Sequence, residues 1–100
     1  MKTIHKYRLR EETGIQVLIQ SIYPNKVLSC ADQRGFPTVW VEVDLGTFDS
    51  ANLSTVQVMT VETGKEMPSV PDGLVPRFIG TCVSDGGNYV LHIYALEPLT

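Results

Sequence analysis

Four of the eight lysine and arginine residues in this 100-residue chain lie in its N-terminal segment. They are Lys2, Lys6, Arg8 and Arg10. At spacings of two and four residues, they project from one face if the segment is a β-strand. Such a stripe can hold phosphates, because arginine offers paired donors that match phosphate oxygens. Two alternatives stay open: an edge strand whose lysines prevent aggregation, which is the plainer interpretation, and contact with an acidic protein surface.

Aromatic residues could complete such a site. Trp40 shares the polar face of a predicted strand with two acidic residues, Glu42 and Asp44. An indole ring on such a face requires an apolar neighbour. That neighbour could be a loop of the same chain, a second subunit or the ring of a ligand. If a nucleotide base binds, Trp40 and Tyr7 are the candidates for stacking, although Tyr7 falls on the opposite face of its strand from the basic stripe.

Two loops supply further candidates for ligand or partner binding. At the tip of a predicted hairpin, Arg34 and Phe36 are the residues expected to make contact. The segment Thr63–Pro76 contains three prolines and two glycines, so it is predicted to be a long surface loop. Within it, Lys65 and Met67 could grip a partner, or the segment could be a plain connection stiffened by proline.

No combination of residues indicates catalysis. His5 and His92 are far apart, and no nucleophile elbow, glycine-rich phosphate loop or paired zinc motif accompanies them, so ordinary sheet histidines are expected. Cys30 and Cys82 are expected to be reduced thiols that fill space in the core. The spacing of the cysteines and histidines offers no set of metal ligands. We therefore expect no enzyme activity, no metal and no cofactor.

The elements that would position the candidate residues are predicted to be strands. The clearest is a hairpin over residues 26–44, in which Val39, Val41 and Val43 alternate with polar residues after a connection that contains Gly35. Further strands are predicted over residues 2–10, 53–62, 77–84 and 89–96, with a tight turn at 85–88 and loops elsewhere. Residues 15–22 fit both a strand and a helix, and their short length and β-branched residues favour a strand.

This pattern predicts one all-β domain over residues 1–100. About seven short strands separated by turn signals favour a small antiparallel β-sandwich or a partly open barrel. A helix at residues 15–22 would make the fold α+β instead. Because a small β domain has exposed strand edges, we also predict a homo-oligomer, with a dimer as the first expectation.

Charge and hydropathy exclude several partners and compartments. The net charge of −3 argues against general nucleic-acid binding, which draws on a surplus of lysine and arginine. No apolar run approaches the length of a membrane helix, so no membrane partner is expected. The N-terminus carries charges where a signal peptide would carry its apolar stretch. The predicted location is therefore the cytoplasm of the cell that makes the protein.

Several short segments occur in a fixed order: MKTI-x-KY-x-L, KVLS-x-x-x-Q-x-G-x-P-x-VW-x-x-VD, TG-x-x-MP, FIGT and GG-x-YV-x-HIY. Together they reach from Met1 to Tyr94, and this ordered set resembles a family of small accessory proteins encoded by tailed bacteriophages. The resemblance implies no particular activity. Accessory phage proteins of this size are often non-enzymatic effectors that bind a host protein or sequester a small signalling nucleotide, which is an analogy between classes of genes.

We therefore expect a non-enzymatic phage effector in the cytoplasm of the infected bacterium, such as an anti-defence protein. It would bind and block a host protein, or sequester a phosphate-bearing signalling molecule. The alternative is a structural or assembly protein of the virion, which would assemble into a large ring or shell. A small hydrolase or nucleotide-processing enzyme is a third hypothesis, but it would normally show a metal constellation or a glycine-rich loop.

Overall fold

The computed structural model shows an antiparallel β-fold and describes residues 2–44, 53–84 and 87–99, with the side chains at 19–25, 44, 53, 54 and 84 outside that description. The described residues contain no α-helix, so the predicted all-β class is confirmed. No helix among them could cross a membrane. The strands are β1 Lys2–Arg8, β2 Gly14–Gln33, β3 Phe36–Asp44, β4 Leu53–Glu62, β5 Leu74–Ser84 and β6 Tyr89–Pro98.

These strands form one hydrogen-bonded sheet that folds into two layers. Their order is β1-β3-β2-β4-β6-β5, and each described pairing is antiparallel. β2 is 20 residues long and belongs to both layers, because its first half pairs with β4 and its second half with β3. A register shift between Ile22 and Lys26 marks the change. With the halves of β2 counted separately, the described chain forms an unclosed sandwich of seven strand segments.

The two layers enclose the main hydrophobic core. Val39, Val41 and Val43 of β3 are 0%, 0% and 2% exposed, which confirms the predicted alternation along this strand. They share a cluster with Val58 and Ile93 from the second layer. Each such side chain contributes about 1.5–3 kcal/mol when it is fully buried. The alternate residues of β3 consequently lie on the outer face of the first layer.

The connection between β4 and β5 covers the outer face of the second layer. Met59, Val61 and Leu96 form a second buried cluster, and Val70 of the connection packs against it. Met59 is 0% exposed although its neighbour Val58 occupies the inner face. This connection is therefore a structural cover as well as a surface loop.

The structure shifts several predicted boundaries. β1 ends at Arg8 and not at residue 10, because Leu9 turns into the core and is 2% exposed. β5 begins at Leu74 and not at residue 77, since an edge strand tolerates the missing amide donor of Pro76. β2 includes residues 15–22 as a strand and continues through the predicted break at 23–25. The predicted loop at 45–52 and residues 85–86 of the predicted turn lie outside the described residues.

A buried polar network fixes the turn between β1 and β2. Thr60 of β4 is 0% exposed, and its hydroxyl donates to the carbonyl oxygen of Glu12. The side chain of Gln16 accepts a hydrogen bond from the Arg10 amide at 2.9 Å and donates one to the Arg10 carbonyl at 3.3 Å. Since buried polar groups require partners, this network ties the chain after β1 to the centre of the sheet.

Cys30 and Cys82 lie where β2 and β5 approach each other without pairing as strands. Both are free thiols. Burial, with a smaller contribution from Cys82, raises the pKa of Cys30 from 9.0 to about 12. Burial also raises the pKa of Cys82. A side chain at Gly80 would force the Cys30 thiol to shift, because a Cβ atom there would lie 2.9 Å from the Cys30 sulfur.

Replacement of Thr60 by valine tests the polar network. The substitution keeps the shape of the side chain but leaves the Glu12 carbonyl without its hydroxyl donor. We expect the free energy of unfolding, measured by urea denaturation, to fall by about 1–3 kcal/mol. The matched control is Thr55→Val on the exposed part of β4. This substitution should change the free energy of unfolding by less than about 0.5 kcal/mol. Equal effects of the two substitutions would contradict this role for Thr60.

The thiol pair should make stability depend on pH in the alkaline range. Above pH 9, the unfolded chain loses thiol protons that the folded protein retains, so the free energy of unfolding should fall as pH rises from 9 towards 12. Below about pH 8 the thiols are largely protonated in both states and contribute little slope. Urea denaturation of wild type and of Cys30→Ala/Cys82→Ala across this range should show a shallower decline in the double variant. Parallel curves would show that the thiols do not cause the decline.

Candidate functional site

Strand pairing and one tight turn bring three basic side chains together at one end of the first layer. In the register of β1 with β3, Lys6 lies opposite Trp40 and Arg8 opposite Thr38. The turn between β2 and β3 places Arg34 at the same end. These side chains line a cleft of about 470 Å³. Its lining residues are Lys6, Arg8, Gln33, Arg34, Phe36 and Thr38.

The turn that presents Arg34 is tighter than the predicted connection. Gln33 pairs directly with Phe36, so only Arg34 and Gly35 connect the two strands. Both have positive φ, 53° and 88°, as two-residue turns between twisted antiparallel strands require. Glycine adopts this conformation freely, whereas arginine does so at a cost of about 1–2 kcal/mol. Arg34 is therefore held in a strained backbone position at the rim of the cleft.

Aromatic and polar neighbours orient the other two cations. The guanidinium carbon of Arg8 lies 3.3 Å from the centroid of the Phe36 ring, in a cation–π contact. Such a contact uses the face of the guanidinium group and leaves its N–H donors available for other acceptors. The ammonium group of Lys6 donates to Gln33 Oε1 at 3.1 Å, which leaves two of its three hydrogens for a ligand.

The cleft is positively charged because its lining includes Lys6, Arg8 and Arg34 and no acidic residue. Within the described part of the chain, the ion pairs join other cations to carboxylates. They are Lys2–Glu42, Arg10–Glu12 and Arg77–Glu97. Lys6, Arg8 and Arg34 thus have no carboxylate partner among the described residues. Local positive charge of this kind attracts anions even when the net charge of the chain is negative.

Arg10 lies beside the cleft but is already paired. A second surface depression of about 490 Å³ shares Arg8 and Phe36 with the first and extends to Arg10 and Glu11. The Arg10 guanidinium lies 3.0 Å from a carboxylate oxygen of Glu12, and both side chains are 64% exposed. With acidic neighbours at this side, the second depression is much less favourable for an anion.

The two aromatic candidates occupy different faces of the first layer. Tyr7 is partly buried against the main core, and burial raises the pKa of its hydroxyl. Its ring therefore faces away from Lys6 and Arg8. Trp40 lies on the outer face, opposite Lys6 in the strand register, and is partly exposed. Of the two, only Trp40 shares a face with the basic residues.

Lys65 and Met67 are exposed in the connection that covers the second layer, and Met67 is 48% exposed. Because the cleft belongs to the outer face of the first layer, these two residues lie on the other side of the sandwich. The structure thus brings together Lys6, Arg8, Arg34 and Phe36, and it does not bring Lys65 or Met67 to them.

The histidines have structural neighbours. Both ring nitrogens of His92 are hydrogen-bonded to threonine hydroxyls, from Thr63 at 2.8 Å and Thr81 at 3.0 Å. His5 is exposed, and its ring centroid lies 6.5 Å from that of Tyr7. Among the described residues, no group of three or more histidine, cysteine or acidic side chains could hold a metal ion.

Sequence reasoning missed Gln33 and Thr38 as lining residues. Thr38 is 4% exposed and donates its hydroxyl hydrogen to the Phe36 carbonyl at 3.1 Å, so it shapes the floor of the cleft. The strand register of the β2–β3 hairpin is the feature that could have identified both residues. A two-residue turn at Arg34-Gly35 pairs Gln33 with Phe36 and sets which residues of β3 face β1.

A family model described as "Domain of unknown function (DUF7352)" matches residues 1–99. Neither the curated proteins nor the solved structures contain a significant match to this sequence.

The contact between Arg8 and Phe36 should stabilise the folded protein measurably. We expect a double-mutant cycle of Arg8→Ala and Phe36→Ala, followed by urea denaturation, to give a coupling energy of about 0.5–1 kcal/mol. The control cycle pairs Arg8→Ala with Met67→Ala on the other side of the sandwich and should give no coupling. Additive effects of Arg8 and Phe36 would show that the stacked geometry does not persist in solution.

Proposed function

The chain belongs to the DUF7352 family, whose description assigns no activity, and we propose that it is a non-catalytic binding protein for a phosphate-bearing small molecule. The proposed binding site is the cleft between β1 and the β2–β3 turn. The observation that carries this proposal is the convergence of Lys6, Arg8 and Arg34 without a carboxylate partner among the described residues.

The chemistry of the three cations fits a phosphate group. Arg8 and Arg34 can each direct two parallel N–H donors at phosphate oxygens, while Lys6 adds a compact positive charge. Phe36 holds the Arg8 guanidinium before the ligand arrives, which reduces the conformational entropy lost on binding. The cleft is open to solvent, so an anion would be bound in partly screened surroundings and its affinity should fall with salt.

Sequestration requires only this binding step. In the host-directed role inferred from the resemblance to phage accessory proteins, the protein would lower the free concentration of a phosphate-bearing host signal. Such a role needs affinity and abundance, and no bond in the ligand has to break. The proposal therefore assigns binding roles to Lys6, Arg8 and Arg34 and a positioning role to Phe36.

Charge reversal in the cleft tests this proposal. Adenosine monophosphate and inorganic phosphate serve as probes in isothermal titration calorimetry at low salt. We expect Arg34→Glu to weaken binding at least tenfold, because it removes two donors and adds a repelling charge. Lys65→Glu changes the net charge equally on the other side of the sandwich and should leave the affinity within about twofold.

Two outcomes would overturn the proposal. The first is an absence of binding by wild-type protein to either probe at millimolar concentration. The second is an equal loss of affinity in Arg34→Glu and Lys65→Glu, which would indicate attraction to the protein as a whole and not to the cleft. Circular dichroism of both variants checks that each retains its β-structure.

A further inference from the structure

We propose that the free edge of β1 binds an extended, acidic peptide segment of a partner protein as an additional β-strand. An edge strand presents unpaired backbone N–H and C=O groups that can form a ladder with another chain. This inference concerns the backbone edge along the whole of β1, and it shares Lys6 and Arg8 with the small-molecule cleft at the C-terminal end of that strand.

The two edges of the sheet differ in how well they are protected. β5, at one edge, contains Pro76 and a register shift between Phe78 and Gly80. It also runs close to β2, where the Arg77 guanidinium donates to the Val27 carbonyl at 2.9 Å. Proline, irregular pairing and a covering strand are the usual devices that prevent an edge from pairing with another chain.

β1, at the other edge, has none of these three devices within its described residues, and its protection is the charge of Lys2, Lys6 and Arg8. It pairs with β3 at each position from Lys2 to Arg8 without a register shift, and it contains no proline. Seven residues of regular strand are long enough for a ladder, since strands in proteins commonly have about five or six. Among the described strands, β1 pairs with β3 alone, so its other edge is regular and available for an incoming strand.

The side chains along this edge define the chemistry of the partner. The outer face of β1 carries Lys2, Ile4, Lys6 and Arg8, all exposed, and Ile4 is 56% exposed. Lys2 is paired with Glu42 at 3.2 Å, whereas Lys6 and Arg8 have no carboxylate partner among the described residues. An added strand places its own alternate side chains directly beside these, where opposite charges stabilise the pair and like charges destabilise it. The complementary segment therefore has acidic residues beside the cations and an apolar residue beside Ile4.

The same charges disfavour a second copy of β1 as the partner. If two β1 strands pair antiparallel about His5, Lys2 of one copy lies beside Arg8 of the other. This places like charges directly opposite each other on the shared face. The homodimer predicted from the sequence would therefore use a different surface.

A set of synthetic peptides tests the inference by fluorescence anisotropy. The parent peptide alternates glutamate and threonine and has one central valine, and a second peptide has lysine in place of each glutamate. Two further peptides carry the parent sequence with N-methyl groups on one or the other alternate set of backbone amides. We expect the parent to bind and the lysine peptide to lose at least tenfold in affinity.

The methylated pair distinguishes a β-ladder from simple charge attraction. Only the amides that face β1 donate to it, so one methylated peptide should bind like the parent and the other should lose at least tenfold. Equal binding by both would overturn the proposal, because adhesion by charge does not depend on backbone donors. Equal loss by both, with the parent bound, would also contradict an added strand at one edge.

Protein variants separate this site from the cleft. Lys2→Glu reverses the charge at the end of the edge away from the cleft and leaves two carboxylates there, because Glu42 then loses its partner. It should weaken binding of the acidic parent peptide by repulsion and leave the affinity for phosphate within about twofold. Arg34→Gln should weaken phosphate binding and leave the affinity for the peptide within about twofold of wild type. If Lys2→Glu binds the peptide as tightly as wild type, β1 is not its docking edge, whatever the result with phosphate.

Discussion

β2 runs for 20 residues through both layers, and its hydrogen bonds to β4 and to β3 join the two halves of the sandwich. The change of partner takes place at the register shift between Ile22 and Lys26. Pro24 lies within this interval, and a proline is compatible with a strand where the ladder is interrupted. One continuous strand therefore replaces the loop that would otherwise connect the layers, and it places the β2–β3 turn at a fixed end of the first layer.

The cleft depends on this arrangement because its basic residues come from two separate segments. Arg34 is placed by the turn at the end of β2, whereas Lys6 and Arg8 are placed by the pairing of β1 with β3. The Leu9 amide donates to the Pro37 carbonyl at 2.8 Å, so the end of β1 is attached to the same hairpin. The network around Thr60 then fixes the turn that follows. The positions of the cations are thus set by the core and by β4, and not only by their own strands.

Period-two alternation made β3 and β4 predictable, because a strand buried on one face repeats its apolar residues at that spacing. The long β2 was not predictable from the same signal. Residues 23–25 have the composition of a break, and only the partners on either side keep the backbone extended there. The inward turn of Leu9 likewise depends on the core that receives it. Local sequence specified the hairpin, while tertiary pairing decided where strands continued or ended.

The candidate site was partly predictable for a related reason. Spacing along β1 correctly grouped Lys6 with Arg8, but it also grouped Arg10, which the structure pairs with Glu12 beyond the end of the strand. Ion pairing is a property of the folded chain, and it separates cations that can take a ligand from cations that are already neutralised. Arg34 could not be joined to β1 without knowledge that β1 pairs with β3. The electrostatic character of this surface therefore arises from strand order: the pairing that buries Val39 and Val41 on one face of β3 leaves Lys6, Arg8 and Arg34 together on the other.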